Sequence, residues 1–293
     1  MKDRSKGYRI FCVCNYIILT LLALACLYPF YYVLVASISD PNELVKHNGL
    51  LFAPLKEITL AGYKMVFENK LVLSGYKNTL IILVVGLAFN LVLTTMGAYV
   101  LSLKELMLRK PLTILVIVTM YFSGGMVPAY LNIRDLGLMD SIWSLILPGA
   151  ITTSNLIIMR SAFMAVPESL SEAAKIDGAS HGKILIHVML PLVKATLAVM
   201  VLYYGVAHWN AWFNASIYLR SSSKYPLQLV LRNILVESQA TDMMSDIGAA
   251  ESRQVLQLIK YSLIVVSTVP IMAIYPFLQK FFQKGVMMGA VKG

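Results

Sequence analysis

Long apolar runs separated by short polar connectors set the pattern of this chain. The stretches 10–38, 78–103, 111–131, 142–163, 184–208 and 256–282 are each dominated by Leu, Ile, Val, Ala and aromatic residues. Each reaches the roughly 20 residues that a helix needs to cross a bilayer, so the pattern predicts six transmembrane helices in an all-α integral membrane fold. Pro29 predicts a kink or an end in the first of them. The mixed stretch 39–76 reads as an excursion outside the membrane with short helices, and the chain divides into 1–76, a core over 77–282 and a tail over 283–293.

One connector differs from the rest. Residues 166–192 carry Glu168, Glu172, Lys175, Asp177 and Lys183 among small residues. Five charges at about 3 kcal/mol each oppose burial at a bilayer centre by more than about 10 kcal/mol, so the segment lies in water or against protein. Pro167 suits a first helical position, Glu168 and Glu172 suit the positive end of a helix dipole, and Gly178 can take the left-handed conformation that ends a helix. Ser180 then caps a second helix that continues into the fifth span, with Pro191 near its start. On a helical projection Glu168, Ser171, Glu172 and Lys175 share one side, and Leu170, Ala173, Ala174 and Asp177 share the other. The small face permits close approach of another backbone. These features fit a force-transmitting lever and an ordinary capped loop equally well.

Composition narrows the class. The chain is 58% hydrophobic and 14% charged, with mean hydropathy +0.71, where soluble domains carry about 25% charged residues. A net charge of +10 must therefore be read along a topology rather than as a nucleic-acid signature. With the N-terminus inside, the cytosolic pieces hold thirteen Lys and Arg against five acids, and the outer pieces hold ten of each. That asymmetry predicts cytosolic N- and C-termini and a cytosolic 166–192 segment. Cys12, Cys14 and Cys26 lie in the first apolar run and suggest neither disulfide nor metal framework. The string 22–26 faintly resembles a lipoprotein cleavage box, but apolar residues continue past it, so a retained signal-anchor helix is expected.

Resident chemistry is not expected. Gly178, Gly182 and Lys183 superficially imitate a phosphate loop, but the spacing is one residue short, the magnesium-binding hydroxyl is missing and no strand precedes it. His181 and His187 fall on different helix faces, which argues against a metal pair. No catalytic or metal-binding residue is assigned. A permeant would meet polar residues within the spans: Asn90, Thr94 and Thr95, residues 152–155 including Asn155, and Tyr203, Tyr204, His208, Trp209, Asn210, Trp212 and Asn214. Aromatic faces and amides there fit a saccharide, although the same residue types also form interfacial belts and glue helices together. The spans lack Asp and Glu, which argues against an ion-coupled secondary carrier. A non-transporting membrane scaffold is the other alternative.

The string Glu172-Ala173-Ala174-x-x-Asp177-Gly178-Ala179, followed by Leu190-Pro191, resembles the EAA motif of ABC-importer permeases. From about Thr79 onward the chain is similar to carbohydrate permeases of the maltose type. Trp209-Asn210-x-x-Phe213 matches their Trp-Asn pattern, and the tail Gly289-Ala290-Val291-Lys292-Gly293 resembles one that reaches an ATPase. The run 121–128 is closer to the branch that imports complex oligosaccharides, including the alginate importer. The chain departs from the motif at Ile184, where an aromatic is usual, and at Ala195, where a second proline is usual.

The resemblance implies a type I ABC importer permease architecture, with a coupling helix near 167–183. Glu172, Ala173, Ala174, Asp177, Gly178 and Ala179 would couple to an ATPase, with Gly289, Val291 and Lys292 touching it from the tail. Asn90, Thr94, Asn155, Tyr203, Tyr204, Trp209 and Asn210 are the candidate substrate path. The implied function is ATP-driven import of a sugar or oligosaccharide by alternating access in the cell (inner) membrane of a bacterium, with an acidic, alginate-like saccharide as one option. No cofactor belongs to this chain; ATP and magnesium would sit on the partner. The implied partners are a second permease subunit, two nucleotide-binding ATPase subunits, an extracytoplasmic solute-binding protein and the lipid bilayer, and no nucleic acid.

Overall fold

The computed structural model describes residues 6–47, 49–243, 259–274 and 276, with only the backbone at 6 and 237–243. Every regular element among these residues is helical. The chain divides into two compact units, Met1–Asn69 with Asn233–Thr268 and Lys70–Arg232 with Val269–Gly293.

In the first unit, α1 (Lys6–Ser37) runs unbroken through Pro29. It is long and apolar enough to cross a membrane. Its side chains point outward almost all round, with Phe11 66% and Leu21 62% exposed, as a helix surrounded by hydrocarbon requires. Asp40 caps α2 (Pro41–Lys46) by accepting the Asn42 N–H at 2.8 Å, with Pro41 at the first helical position. Val35, Ala36, Leu44 and Leu51 bury against Tyr32, Leu55 and Tyr261. α3 (Ala61–Glu68) completes the 39–69 excursion.

In the second unit, α4 (Lys70–Ser102) is the other unbroken helix of spanning length. It begins at Lys70 rather than at the expected position 78, so the expected boundary at 76/77 falls inside it. The three following spans are broken rather than continuous. α5 (Arg109–Tyr121) and α6 (Met126–Asp135) meet at 112°, where Ser123-Gly124-Gly125 interrupts the helix and Gly125 takes φ +87°. α7 (Trp143–Ile146) ends in a tight turn through Pro148 and meets α8 (Thr153–Met164) at 50°. α9 (Glu168–Ile176) is the polar connector. Beyond it come α10 (His181–Lys183), a π-helical stretch over Ile184–Met189, α11 (Leu190–Leu192) and α12 (Lys194–Trp209). The segment His181–Leu192 meets α12 at 87°, so the expected helix through Pro191 into the fifth span is corrected. Proline has no N–H for the carbonyl four residues back and its ring crowds it; the π stretch widens the helix just before Pro191 and the chain turns at Val193.

α13 (Phe213–Tyr218) and α14 (Leu227–Met243) follow, and the last described helix, α15, covers Ile259–Ile274 of the expected 256–282 span. Among the described residues, two helices are thus long enough to span alone, and up to five spans result if each bent pair counts as one. The core of the second unit forms where α4 packs on α8 and α12. At one end lie Ala98, Tyr99, Leu156, Met159, Phe163, Ile184 and Met200. At the other lie Ile82, Ile133, Ile146, Ala215, Tyr218 and Leu229.

Candidate coupling segment and buried polar node

α9 starts one residue later than expected, with Pro167 outside the helix at the cap position. Its end is built as the glycine suggested. Gly178 has φ +78°, its N–H donates to Lys175 O at 2.9 Å, and the Ala179 N–H reaches back to Ala174 O at 2.9 Å. This pair of bonds is a Schellman closure, which satisfies carbonyls that the helix end would otherwise orphan. Ser180 has the extended cap backbone, but its side chain makes no capping bond.

The faces of α9 sort differently from the sequence projection. Ala174 and Ala179 pack against the chain's own core around Phe163 and Ile184. Leu170, Glu172, Ala173, Ile176 and Asp177 face outward, and Ile176 is 87% exposed. Of the six motif residues, two therefore serve the internal packing of α9, and Glu172, Ala173, Asp177 and Gly178 are presented. Ile176, which sequence reasoning did not select, is the most exposed apolar side chain on that surface.

The turn between α4 and α5 holds α9 at both ends. Lys104 pairs with Glu168, and Glu105 accepts from Lys175 at 2.5 Å. The order of signs on the turn, basic then acidic, meets the reverse order along α9. The hydrogen bond and charge of Lys175 hold the Glu105 carboxyl below the usual carboxylate range, and the same bond pushes the Lys175 ammonium up. Tyr99 adds a contact from α4, its hydroxyl lying 3.1 Å from His181 Nδ1.

Three of the candidate path residues, Asn90, Thr94 and Tyr204, join a neutral network in the core. Asn90 is fully buried, and its amide donates to Gly149 O at 2.7 Å and Ala150 O at 2.9 Å. With both N–H groups spent, Oδ1 must accept, so His208 Nε2, 2.6 Å away, carries the proton. Tyr204 accepts from the Thr152 N–H at 3.1 Å and Thr152 Oγ1 at 3.2 Å, which leaves its own proton for Thr94 Oγ1 at 2.7 Å. Every one of these bonds reaches the break between α7 and α8, or a residue that reaches it. A helix break in an apolar core frees backbone groups that water cannot satisfy, and α4 and α12 supply the substitutes. Gly86 makes room for the network, since a Cβ there would lie 2.6 Å from His208 Nε2.

Asn90, Thr94 and Tyr204 are therefore brought together, and Asn155 is buried nearby on α8. Tyr203 is 45% exposed, Trp209 is buried against Tyr76, and Asn210 is exposed at the end of α12. The seven residues do not line one open path in this conformation. Gly289, Val291 and Lys292 lie outside the described residues.

A further clasp escaped sequence reasoning. Asp140, itself at φ +56°, accepts from the N–H groups of Arg220 and Ser221 at 3.0 Å, from Ser221 Oγ at 2.6 Å and from Lys224 at 2.9 Å. The Ser221 hydroxyl and Lys224 hold its carboxyl well below the usual range. Its partners are eighty or more residues away, and no local pattern announces them.

An apolar helical domain with interrupted spans and an exposed polar helix has the make-up of an integral membrane protein. No protein-family model matches the chain. It is 39% identical over 286 residues to the polygalacturonan/rhamnogalacturonan transport system permease YtcP of Bacillus subtilis, covering 97% of this chain and 99% of that protein. It is 41% identical over 293 residues to LplC of the same organism, covering 99% and 97%. A crystal structure of a bacterial ABC transporter involved in the import of the acidic polysaccharide alginate contains a chain that matches with TM-score 0.87 and 32% identity, over 96% of this chain and all of that one. The chain belongs to the permease subunits of carbohydrate ABC importers, and it is a transport subunit rather than an enzyme.

Proposed function

We propose that this chain forms one half of the translocation pathway of a bacterial importer for acidic oligosaccharides, and that α9 couples it to an ATPase. The supporting observation is the construction of α9. It is a short helix with a closed end, braced by ion pairs to its own subunit, that leaves Leu170, Ala173, Ile176, Glu172 and Asp177 free. A rigid small-residue surface of this kind suits docking into a groove on a nucleotide-binding subunit. Nucleotide-driven movement of that subunit would be passed through α9 to α8 and α12, whose packing on α4 defines the core. In this reading α9 and both termini are cytosolic, ATP and magnesium sit on the partner, and a second permease subunit supplies the other half. A solute-binding protein delivers the saccharide from outside. One relative by name, the polygalacturonan/rhamnogalacturonan permease, and the alginate importer by description serve pectic or acidic polysaccharides, which favours a uronate-bearing cargo here.

Two measurements test the proposal. Binding-protein-dependent uptake into vesicles carrying the assembled complex should favour uronic-acid oligosaccharides over neutral ones; equal uptake of both sinks the acidic assignment. Glu172→Lys and Gly178→Pro should abolish uptake while the protein stays in the membrane. Normal substrate-stimulated ATPase activity in both variants would refute coupling through α9, and uptake driven by an ion gradient alone would favour a secondary carrier.

A further inference from the structure

A pocket beneath α9 is lined by six charged side chains: Lys104, Glu105, Arg109, Glu168, Glu172 and Lys175. Four of them are matched as Lys104 with Glu168 and Glu105 with Lys175. Arg109 and Glu172 remain. Arg109 Nη1 is shut off from water and has no hydrogen-bond partner among the described residues. Its charged neighbour on α8, Arg160, has the same sign and spends its Nε–H on Leu101 O at 2.9 Å. A buried guanidinium donor left in this state is costly, and Glu172, a carboxylate with no ion pair among the described residues, lines the same pocket.

We infer that Arg109 is a positioning residue, the resting counter-charge of Glu172, which draws α9 toward its own subunit in the resting importer, before nucleotide closes the ATPase pair. The inference rests on the coupling role of α9 proposed above. Three features allow the movement. α9 has no fully buried residue to anchor it. Pro167 and the positive-φ Gly178 bound it at its two ends. Both bracing ion pairs are at the surface and can follow a small rotation. Seating Glu172 on Arg109 satisfies the orphaned donor and withdraws the motif glutamate from the docking surface. Nucleotide-driven closure has to release it, so the resting helix is held in a distinct pose rather than left loose.

The test uses the complete importer in proteoliposomes, with Cys12, Cys14 and Cys26 replaced by serine. The Ser102→Cys/Ser171→Cys pair lines the same pocket and leaves Arg109 and Glu172 intact; it should cross-link with a short bifunctional thiosulfonate in the nucleotide-free complex, and the yield should fall severalfold after trapping with ATP and vanadate. Equal yields in the two states, or none in either, overturn the inference. Arg109→Gln should raise ATPase activity in the absence of substrate by roughly fivefold or more, the low end of a coupling between sites, and Arg109→Lys should restore most of the control. Unchanged basal activity in Arg109→Gln also overturns it. The coupling reading fails separately: Ile176→Cys would then label equally with and without the ATPase subunits, whereas protection of Ile176→Cys with a state-independent cross-link rejects the Arg109 role alone.

Discussion

Two of the places where this chain gives up helical regularity are stabilised by opposite means. At the break between α7 and α8, stray backbone groups are met by neutral hydrogen bonds from Asn90, Tyr204 and, through Asn90, His208, all buried. At α9 the backbone satisfies itself through the Gly178 closure, and the helix is tied down by ion pairs at the surface. The difference follows from solvent. In an apolar interior an unpaired polar group is expensive and a charge more so, so the bonds must be neutral and complete. At the water boundary a charge pair is weak and adjustable, which suits a segment that has to move.

The sharpest way to break the comparison is to remove the neutral side. Asn90→Leu strands two carbonyls and the His208 N–H, at about 1–3 kcal/mol for each buried group left unsatisfied. The expected result is a loss of several kcal/mol, read as a large drop in the melting temperature and membrane level of the complex. Tyr204→Phe should cost less, because Thr94 and Thr152 are threonines with local alternatives. If Asn90→Leu leaves the melting temperature where it was, the α7–α8 break is held by packing alone and the contrast with α9 fails.

The next effect is conformational and belongs to α9. A Cβ at Gly178 would meet nothing within 4 Å, so Gly178→Ala tests φ +78° without a clash. The left-handed region costs an L-residue about 1–2 kcal/mol, and uptake should fall correspondingly, with Gly178→Asn falling less because asparagine tolerates this region. Equal activity of all three residues would mean that the helix end can be rebuilt another way, and that the closure is incidental to coupling.

How far these features could be read from the sequence depends on how local they are. The helical class, the presence of α9 and the conformation of Gly178 were legible because each depends on neighbours in the chain: apolar runs, a proline, a glycine after the last helical turn. The continuity of three spans was misjudged. Hydropathy averages over the Gly124-Gly125, Pro148 and Pro191 breaks, and a break is tolerated only because distant residues satisfy it, as Asn90 does for Gly149 and Ala150. The inward turn of Ala174 and Ala179, the opposition of Lys104-Glu105 to Glu168 and Lys175, and the Asp140 clasp all require knowledge of which elements meet. The candidate path divided for the same reason. Residue type marked Asn90, Thr94 and Tyr204 as polar groups in apolar surroundings, and packing decided that in this conformation they bond to one another.

The smallest effect sharpens the charged side. The Lys104–Glu168 and Glu105–Lys175 pairs are exposed, with side chains between 33% and 72% accessible, and exposed pairs contribute little because water and salt screen them. Glu105→Lys should therefore reduce coupled uptake only a few-fold, and the exchange Glu105→Lys/Lys175→Glu should recover most of the loss, since it restores the pair with reversed sign. The pH dependence supplies an independent check. Glu105 has a lowered pKa in the folded protein, so its contribution is present above the usual carboxylate range and is lost as pH falls through the lowered value. Lys175 has a raised one, so its contribution is present below the usual lysine range and is lost only as pH rises through the raised value. Between about pH 5 and about pH 9 both groups stay charged, and the ratio of Glu105→Lys to unaltered uptake should be flat while rising toward parity at high salt. A ratio that varies across that window, or ignores salt, would show that the turn acts on α9 through packing and not through charge.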